Sequence, residues 1–258
     1  MGALMRREYP ILEFDPDRGA LINPRPSKGD APLPEHCVIC FFHEVLERIC
    51  TQDSVRQIAC ESSEMGKHPV FQLEYEGRPI AFLHPGIGAP MAAALLEYAI
   101  AGGARKFVAV GGAGVLDRSV AVGHLIVPTS AVRDEGTSYH YLPPAREVGA
   151  GPEAVAAIET VLQRHHLPYR LAKTWTTDAF YRETPAKVRL RRDEDCLTVE
   201  MEAAAFFAVA QFRGVSFGQI LYGGDDVSGE VWDSREWNSR VDVRERLFRL
   251  ACEACMEM

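Results

Sequence analysis

The run Thr198-Val199-Glu200-Met201-Glu202-Ala203-Ala204-Ala205-Phe206-Phe207 sets two carboxylates around a methionine, where a strand-like stretch meets a helix-like one. On extended backbone Glu200 and Glu202, two apart, point to one face. Glu202 also opens a helix, where the dipole favours negative charge. A plain account makes it a first-turn acid beside an exposed strand end. Against that, Ala203–Ala210 is apolar on nearly every side, so the helix is buried and acids at its mouth face a cavity. Paired carboxylates accept hydrogen bonds from sugar hydroxyls and stabilise a developing cation nearby.

Other residues have chemistry to offer. Gly111-Gly112-Ala113-Gly114 follows an apolar strand and reads as a loop that brings backbone N–H groups close to an anion, although a tight packing turn explains it equally. It has neither Walker A nor Rossmann spacing, which argues against a dinucleotide protein. Asp225-Asp226, after two glycines, supplies either a general acid raised by burial or a turn and helix cap. The seven cysteines include the pairs Cys37/Cys40 and Cys252/Cys255. The first pair spans an odd number of strand steps and puts its thiols on opposite faces, so no metal site is expected. Among eight histidines, His84 stands out beside Pro85-Gly86 at a strand end, while His165-His166 reads as the end of an exposed helix.

These residues need elements to hold them. Residues 8–36 are rich in Pro, Gly and Asp without a period, so residues 1–36 read as an irregular arm and 37–258 as one domain. Strand patterns cover 37–42, a hairpin over 71–86 turning at Glu76-Gly77, 106–110 running into the glycine loop 111–114, and 123–132, 169–178, 196–200 and 215–226. Helical patterns cover 42–50, 88–103, 151–166, 184–195, 201–214 and 234–258. The alternation predicts an α/β fold with a largely parallel or mixed sheet. His84-Pro85-Gly86, the glycine run, Thr177-Asp178, Glu200–Glu202 and Asp225-Asp226 then fall at C-terminal strand ends, the edge where such sheets bind ligands. Net charge of −8 disfavours nucleic acid or an anionic membrane as partner. There is no spanning apolar run, and the Met-Gly start has Arg6 where a myristoylation signal needs Ser or Thr. Reduced thiols and no signal peptide point to the cytoplasm.

Glu200-Met201-Glu202-Ala203-Ala204, Thr177-Asp178-Ala179-Phe180-Tyr181, Gly86-Ile87-Gly88 and Gly111-Gly112-Ala113-Gly114 occur in the order seen in nucleoside phosphorylases. Over about residues 37–255 the chain resembles the uridine and purine nucleoside phosphorylase superfamily, which includes the methylthioadenosine and adenosylhomocysteine nucleosidases. The resemblance implies a phosphorylase/hydrolase-like three-layer α/β sandwich with a central mixed sheet, forming a homo-oligomer, dimer or hexamer. It implies cleavage of a nucleoside N-glycosidic bond. Glu202 is expected to bind the ribose hydroxyls, Met201 to pack on the sugar with Glu200 in support, Phe180 to pack on the base, and Asp226 to protonate a purine. Thr177, His84, Gly86, Gly111 and Gly112 are expected around the substrate.

The chain departs from that family at its phosphate site. Phe41-Phe42-His43-Glu44-Val45 replaces a Gly-Asp-Pro-x-Arg loop, and Ala109 stands where a second arginine belongs. Gly112 replaces the phosphate-binding Thr or Ser, and Gly66-Lys67 falls where a neighbouring subunit lends an arginine. Lys67 and His68 are the candidates for a rebuilt anion site, with inorganic phosphate as co-substrate and no other cofactor. Thr184 and Ala186 replace the uracil-reading Gln and Arg, which favours a purine. The expectation is a phosphorylase-like enzyme with an atypical phosphate site. The alternatives are a hydrolase using water, or a silent nucleoside-binding sensor.

Overall fold

The structure, a computed structural model, describes residues 4–258; the Met-Gly start lies outside the described residues. Ten strands form one mixed sheet. They are β1 (His36–Cys40), β2 (Arg56–Ser63), β3 (Gly66–Tyr75), β4 (Arg78–Leu83), β5 (Lys106–Val115), β6 (Leu125–Asp134), β7 (Glu147–Gly149), β8 (Tyr169–Thr177), β9 (Cys196–Glu200) and β10 (Ser216–Asp226). The helices are α1 (His43–Cys50), α2 (Ala89–Gly102), α3 (Pro152–Arg164), α4 (Pro185–Asp193), α5 (Ala203–Arg213) and α6 (Val241–Glu257).

Side chains on successive strand residues go to opposite faces. In β1, Cys37 and Ile39 enter a core with Leu95 and Leu96 of α2 and Phe206 and Phe207 of α5. Val38 and Cys40 enter a second core with Val45 of α1, Ile158 of α3 and Phe248 of α6. Helices cover both faces, so the central strands are apolar throughout and the three-layer sandwich is as expected. The two CxxC thiols of β1 lie in opposite cores, as their spacing requires. Helices α2 and α5 are apolar nearly all round because each is buried. Among the described residues no helix is long and apolar enough to cross a membrane.

Strand β5 organises the sheet. It runs parallel to β10 along one edge. Along the other it runs parallel to β1 as far as Val110, then antiparallel to β9 at Gly114 and Val115. Because β10 also pairs with β6, β6 with β8 and β8 with β9, the strands β5-β10-β6-β8-β9 close a ring. The open part of the sheet leaves from β5 through β1, β4, β3 and β2.

Four sequence expectations change. Gly111–Gly114 is not a loop: these residues are strand, and they mark where β5 exchanges β1 for β9. Residues 56–63 are an edge strand that carries too few apolar residues to show. The hairpin strand starts at Gly66 rather than 71, and the last helix at Val241 rather than 234.

Gly218 of β10 lets α3 approach closely: a Cβ there would lie 2.8 Å from Ile158 Cδ1 and 2.9 Å from Ala154 Cβ. Gly218→Val should therefore cost about 1–3 kcal/mol through overpacking. Urea unfolding measures the cost, and a midpoint equal to the parent's would mean α3 has room to withdraw.

Candidate functional site

Between Val110 and Gly114, β5 has no neighbour on the side that β1 leaves and β9 joins. A cavity of about 740 Å³ opens beside Gly112, Ala113 and Gly114. Val199, Glu200 and Met201, at the end of β9, form one part of its wall. Phe180 and Tyr181, from the turn after β8, and Trp232 and Trp237, from the segment after β10, form another. Glu183 and Asp225 put two further carboxyls on it. A second hollow of about 1060 Å³ lies under the arm near Arg18, Tyr98 and Arg213, and it holds none of the residues that the motifs single out.

The two glutamates do not act as a matched pair. Glu200 Oε2 accepts the backbone N–H of Glu202 at 2.7 Å and of Ala203 at 2.6 Å, so Glu200 caps α5. Its Oε1 accepts the Thr176 hydroxyl at 2.6 Å. Thr176 in turn accepts the Ala204 N–H at 2.9 Å, which ties β8, β9 and α5 together. Glu202 turns instead toward the loop after β4, where Gly88 donates to its Oε1 at 2.6 Å. Burial raises the pKa of Glu200, against the pull of the Thr176 hydroxyl and the amides. Burial also raises that of Glu202, and the charge of Glu200 adds to it.

Gly86 is what brings Gly88 to Glu202. Its φ of 76° suits glycine, and a Cβ there would sit 2.6 Å from Met91 Cγ. The His84 ring stabilises the same turn, since Nδ1 accepts the Gly86 N–H at 3.0 Å. Burial lowers the pKa of His84, and His43, whose ring centroid lies 6.0 Å away, lowers it further. His84 is thus a loop-forming residue and does not line the cavity. Thr177 is likewise buried, its hydroxyl accepting the Ala179 N–H at 3.2 Å; the threonine that holds a site carboxylate is its neighbour Thr176.

Of the expected residues, Gly112, Phe180, Glu200 and Met201 line the cavity. Gly111 does not: a Cβ on it would meet the Phe41 ring at 3.2 Å, because Phe41 covers that part of β5. Phe42 packs against Tyr222 with centroids 5.9 Å apart, and Arg244 lies over both rings. Arg244 is bound to Glu44 at 2.6 Å and to the Tyr222 hydroxyl at 3.1 Å. An aromatic cluster with a satisfied arginine therefore stands where a phosphate loop was sought. Lys67 and His68 sit on the β2–β3 hairpin, with His68 at 2.7 Å from the Ser63 hydroxyl, and neither lines the cavity.

Asp226 must be reassigned. It is buried away from the cavity lining, 2.6 Å from Arg235 and 3.4 Å from Arg118. Burial alone would raise its pKa, but hydrogen bonds from Ser228 and the charge of Arg235 hold it below the ordinary value. It is an ionised structural anchor, and a register shift in β10 between Gly223 and Asp226 turns Asp225 to the cavity instead. Trp232 Nε1 donates to Asp225 Oδ2 at 2.7 Å. Sequence reasoning missed Glu183, Trp232 and Trp237, which stand on turns and segments without a period; two tryptophans close behind an acid-rich strand end were the available signal.

Residues 35–255 match the family model described as the phosphorylase superfamily. Among curated relatives, a guanosine phosphorylase of Halorubrum lacusprofundi is 31% identical over 209 residues, covering 76% of this chain and 85% of its own. A uridine phosphorylase of Thermococcus kodakarensis is 29% identical over 176 residues, covering 62% and 64%. Among solved structures, a uridine phosphorylase from Vibrio fischeri superposes with a TM-score of 0.75 at 25% identity, covering 92% of this chain and 99% of that one.

The Asp226 anchor makes a prediction that needs no ligand. Asp226→Asn leaves Arg235, only 15% exposed, with only the more distant and exposed Asp233 at 3.9 Å as counter-charge and should cost about 1–3 kcal/mol at neutral pH. A lowered carboxylate pKa gives stability that is present above its unfolded value and lost as pH falls through the folded one. The gap between parent and variant should accordingly close in acid, below about pH 4. Urea melts at both pH values test this, and an equal gap at the two would contradict it.

Proposed function

The chain belongs to the phosphorylase superfamily, and from that premise we propose that it cleaves the N-glycosidic bond of a purine ribonucleoside. The observation that carries this reading is one cavity with Glu200 and Met201 at the end of β9 and aromatic rings with two further acids opposite. Glu202, at the mouth of α5 with the Gly88 N–H on its Oε1, and Glu200 suit the ribose hydroxyls and the positive charge that the sugar gains as the base departs. Phe180, half-exposed at the cavity, suits the face of a base. The guanosine and purine nucleoside phosphorylases among its relatives support a purine, as does the absence of the uracil-reading pair at Thr184 and Ala186. The same reading has the protein working as a homo-oligomer in the cytoplasm; a monomer by sedimentation would remove the first of these.

Phosphorolysis is the first reading for the nucleophile, given the relatives. The basic side chains available to it are His43, His68 and Lys67, outside the cavity wall and open to solvent to different degrees. Phe41 favours hydrolysis as the second reading. Its ring occupies the space over Gly111, and a partly buried dianion needs charge-assisted donors that no residue lining the cavity supplies.

Glu202→Gln should keep the fold and lower kcat/KM on ribonucleosides by about 10²-fold, through lost transition-state electrostatics. Steady-state kinetics with a circular-dichroism control measures this, and an unchanged kcat/KM would remove Glu202 from the site. Product identity decides the nucleophile. Ribose 1-phosphate formed only when millimolar phosphate is present is the expected outcome. Free ribose at the same rate with and without phosphate would establish hydrolysis, and no turnover of any nucleoside would leave a binding protein.

A further inference from the structure

The hollow under the N-terminal arm, about 1060 Å³, shares no lining residue with the first cavity. The arm spans it between two fixed points. At one, the Arg18 carbonyl accepts an N–H of the Arg213 guanidinium at 3.1 Å, and the Arg18 guanidinium lies 5.9 Å from the centre of the Phe212 ring. At the other, Asp30 accepts the Tyr98 hydroxyl from α2 and the Cys60 N–H from β2, and Ala31 donates to the Ile58 carbonyl. Between these points, residues 18–29 contain Arg18, Arg25 and Lys28 and no acid, in a chain whose net charge is −8. Pro24 and Pro26 fix the backbone on either side of Arg25, and Gly29 takes a φ of 101° ahead of Asp30.

All three cations line the hollow, and among the described residues none of them forms an ion pair. Glu97, on the floor, is already held by Arg213 through both carboxylate oxygens. Asp17 and Glu61 are the other acids of the wall, and the Asp17 carboxylate accepts the Gly19 N–H of its own turn at 2.9 Å. The rest of the floor is apolar and aromatic. Met91 and Leu95 come from α2, and Tyr141 meets Phe212 edge to face with ring centres 5.6 Å apart. Arg213 also lies over the Phe212 ring, 5.0 Å from its centre.

We propose that this hollow is a second ligand site, which takes a nucleoside 5′-phosphate: Arg25 and Lys28 hold the phosphate, and the base lies against the Arg18 guanidinium and the rings of Tyr141 and Phe212. A phosphate needs charge-assisted donors, which no residue lining the first cavity supplies and three residues of this hollow do. The planar fork of arginine matches phosphate oxygens, and lysine adds a point charge. Aromatic rings and arginine planes both stack on a nucleobase. Charge alone attracts any anion, so the ring pair is what selects one with a flat apolar face. The two prolines lower the ordering cost of binding, because Arg25 stands on backbone that is already restricted. This site does not depend on what the first cavity cleaves.

Equilibrium dialysis of the parent against adenosine 5′-monophosphate, adenosine and inorganic phosphate, at low and at high salt, tests the site. The monophosphate should bind about 10-fold or more tightly than either of its parts, and its affinity should fall as salt rises. Arg25 and Lys28 are both exposed, so Arg25→Ala combined with Lys28→Ala should leave the thermal melt unchanged and weaken the monophosphate by about 10-fold or more. Phe180→Ala, in the wall of the first cavity, should not change that affinity. Trypsin locates the ligand: it cuts after Arg18 and after Lys28, and the monophosphate should slow both cuts. Affinity kept in the Arg25 and Lys28 double variant would overturn the site, and affinity lost with Phe180→Ala would move the ligand to the first cavity. Inorganic phosphate bound as tightly as the monophosphate would reduce the hollow to an unselective cationic patch and overturn the assignment. No binding of the monophosphate at millimolar concentration would do the same, and a double variant that only breaks up an oligomer would make the arm a contact between subunits instead.

Discussion

One strand with two successive neighbours is the constraint on which this structure depends. Strand β5 must satisfy its backbone against β10 on one side throughout, and on the other against β1 and then β9. A strand cannot change partners without leaving a gap, and backbone near a gap must still find hydrogen bonds. The gap becomes the cavity, and Gly112 and Gly114 keep it from filling: side chains there would run into Tyr222 and Val199 respectively. Glu200 then secures the ring to the helix layer. It closes β9 and caps α5 through two amides, so the site's position follows from the fold's own hydrogen bonding.

The electrostatics follow from the same geometry. Glu200, Glu202 and Glu183 are all pushed up, in each case by burial first and by a neighbouring carboxylate among the other causes. Asp226, one residue from Asp225, is pulled down by Ser228 and Arg235. Three arginines near this region are committed elsewhere: Arg235 and Arg118 to Asp226, Arg244 to Glu44 and Tyr222. The cavity is acidic and aromatic, with no cation in its lining.

The sequence was most legible where a period and a motif coincided. Strand β9 running into the all-apolar α5 located Glu200 and Met201, and the Phe-Tyr pair after β8 located one aromatic wall. It was least legible where backbone pairing overrides local composition. Four residues with three glycines look like a loop, yet Gly111–Gly114 is strand because β10 pairs with Gly111–Ala113 and β9 with Gly114. Strand β2 is half exposed, and its polar edge carries no alternation to detect. Adjacent Asp225 and Asp226 differ only in phase, and the irregularity after Gly223 resets that phase without any sign in the residue types. Glu202 and Glu200 look alike on extended backbone, but the chain turns between them, and one becomes a helix cap while the other goes to Gly88.

The three tryptophans divide in a useful way. Trp232 and Trp237 stand in the cavity wall, partly open to water, and Trp232 is hydrogen-bonded to an acid of the site. Trp175 is fully buried in a separate core and bonded to Asp134. Indole emission depends on polarity and on nearby proton donors, so the protein contains two optical probes in the cavity wall and one internal reference shielded from solvent. Occupancy of the cavity is thereby readable from intrinsic fluorescence, without labels and without turnover, while the Trp175 signal reports whether the surrounding fold has stayed intact.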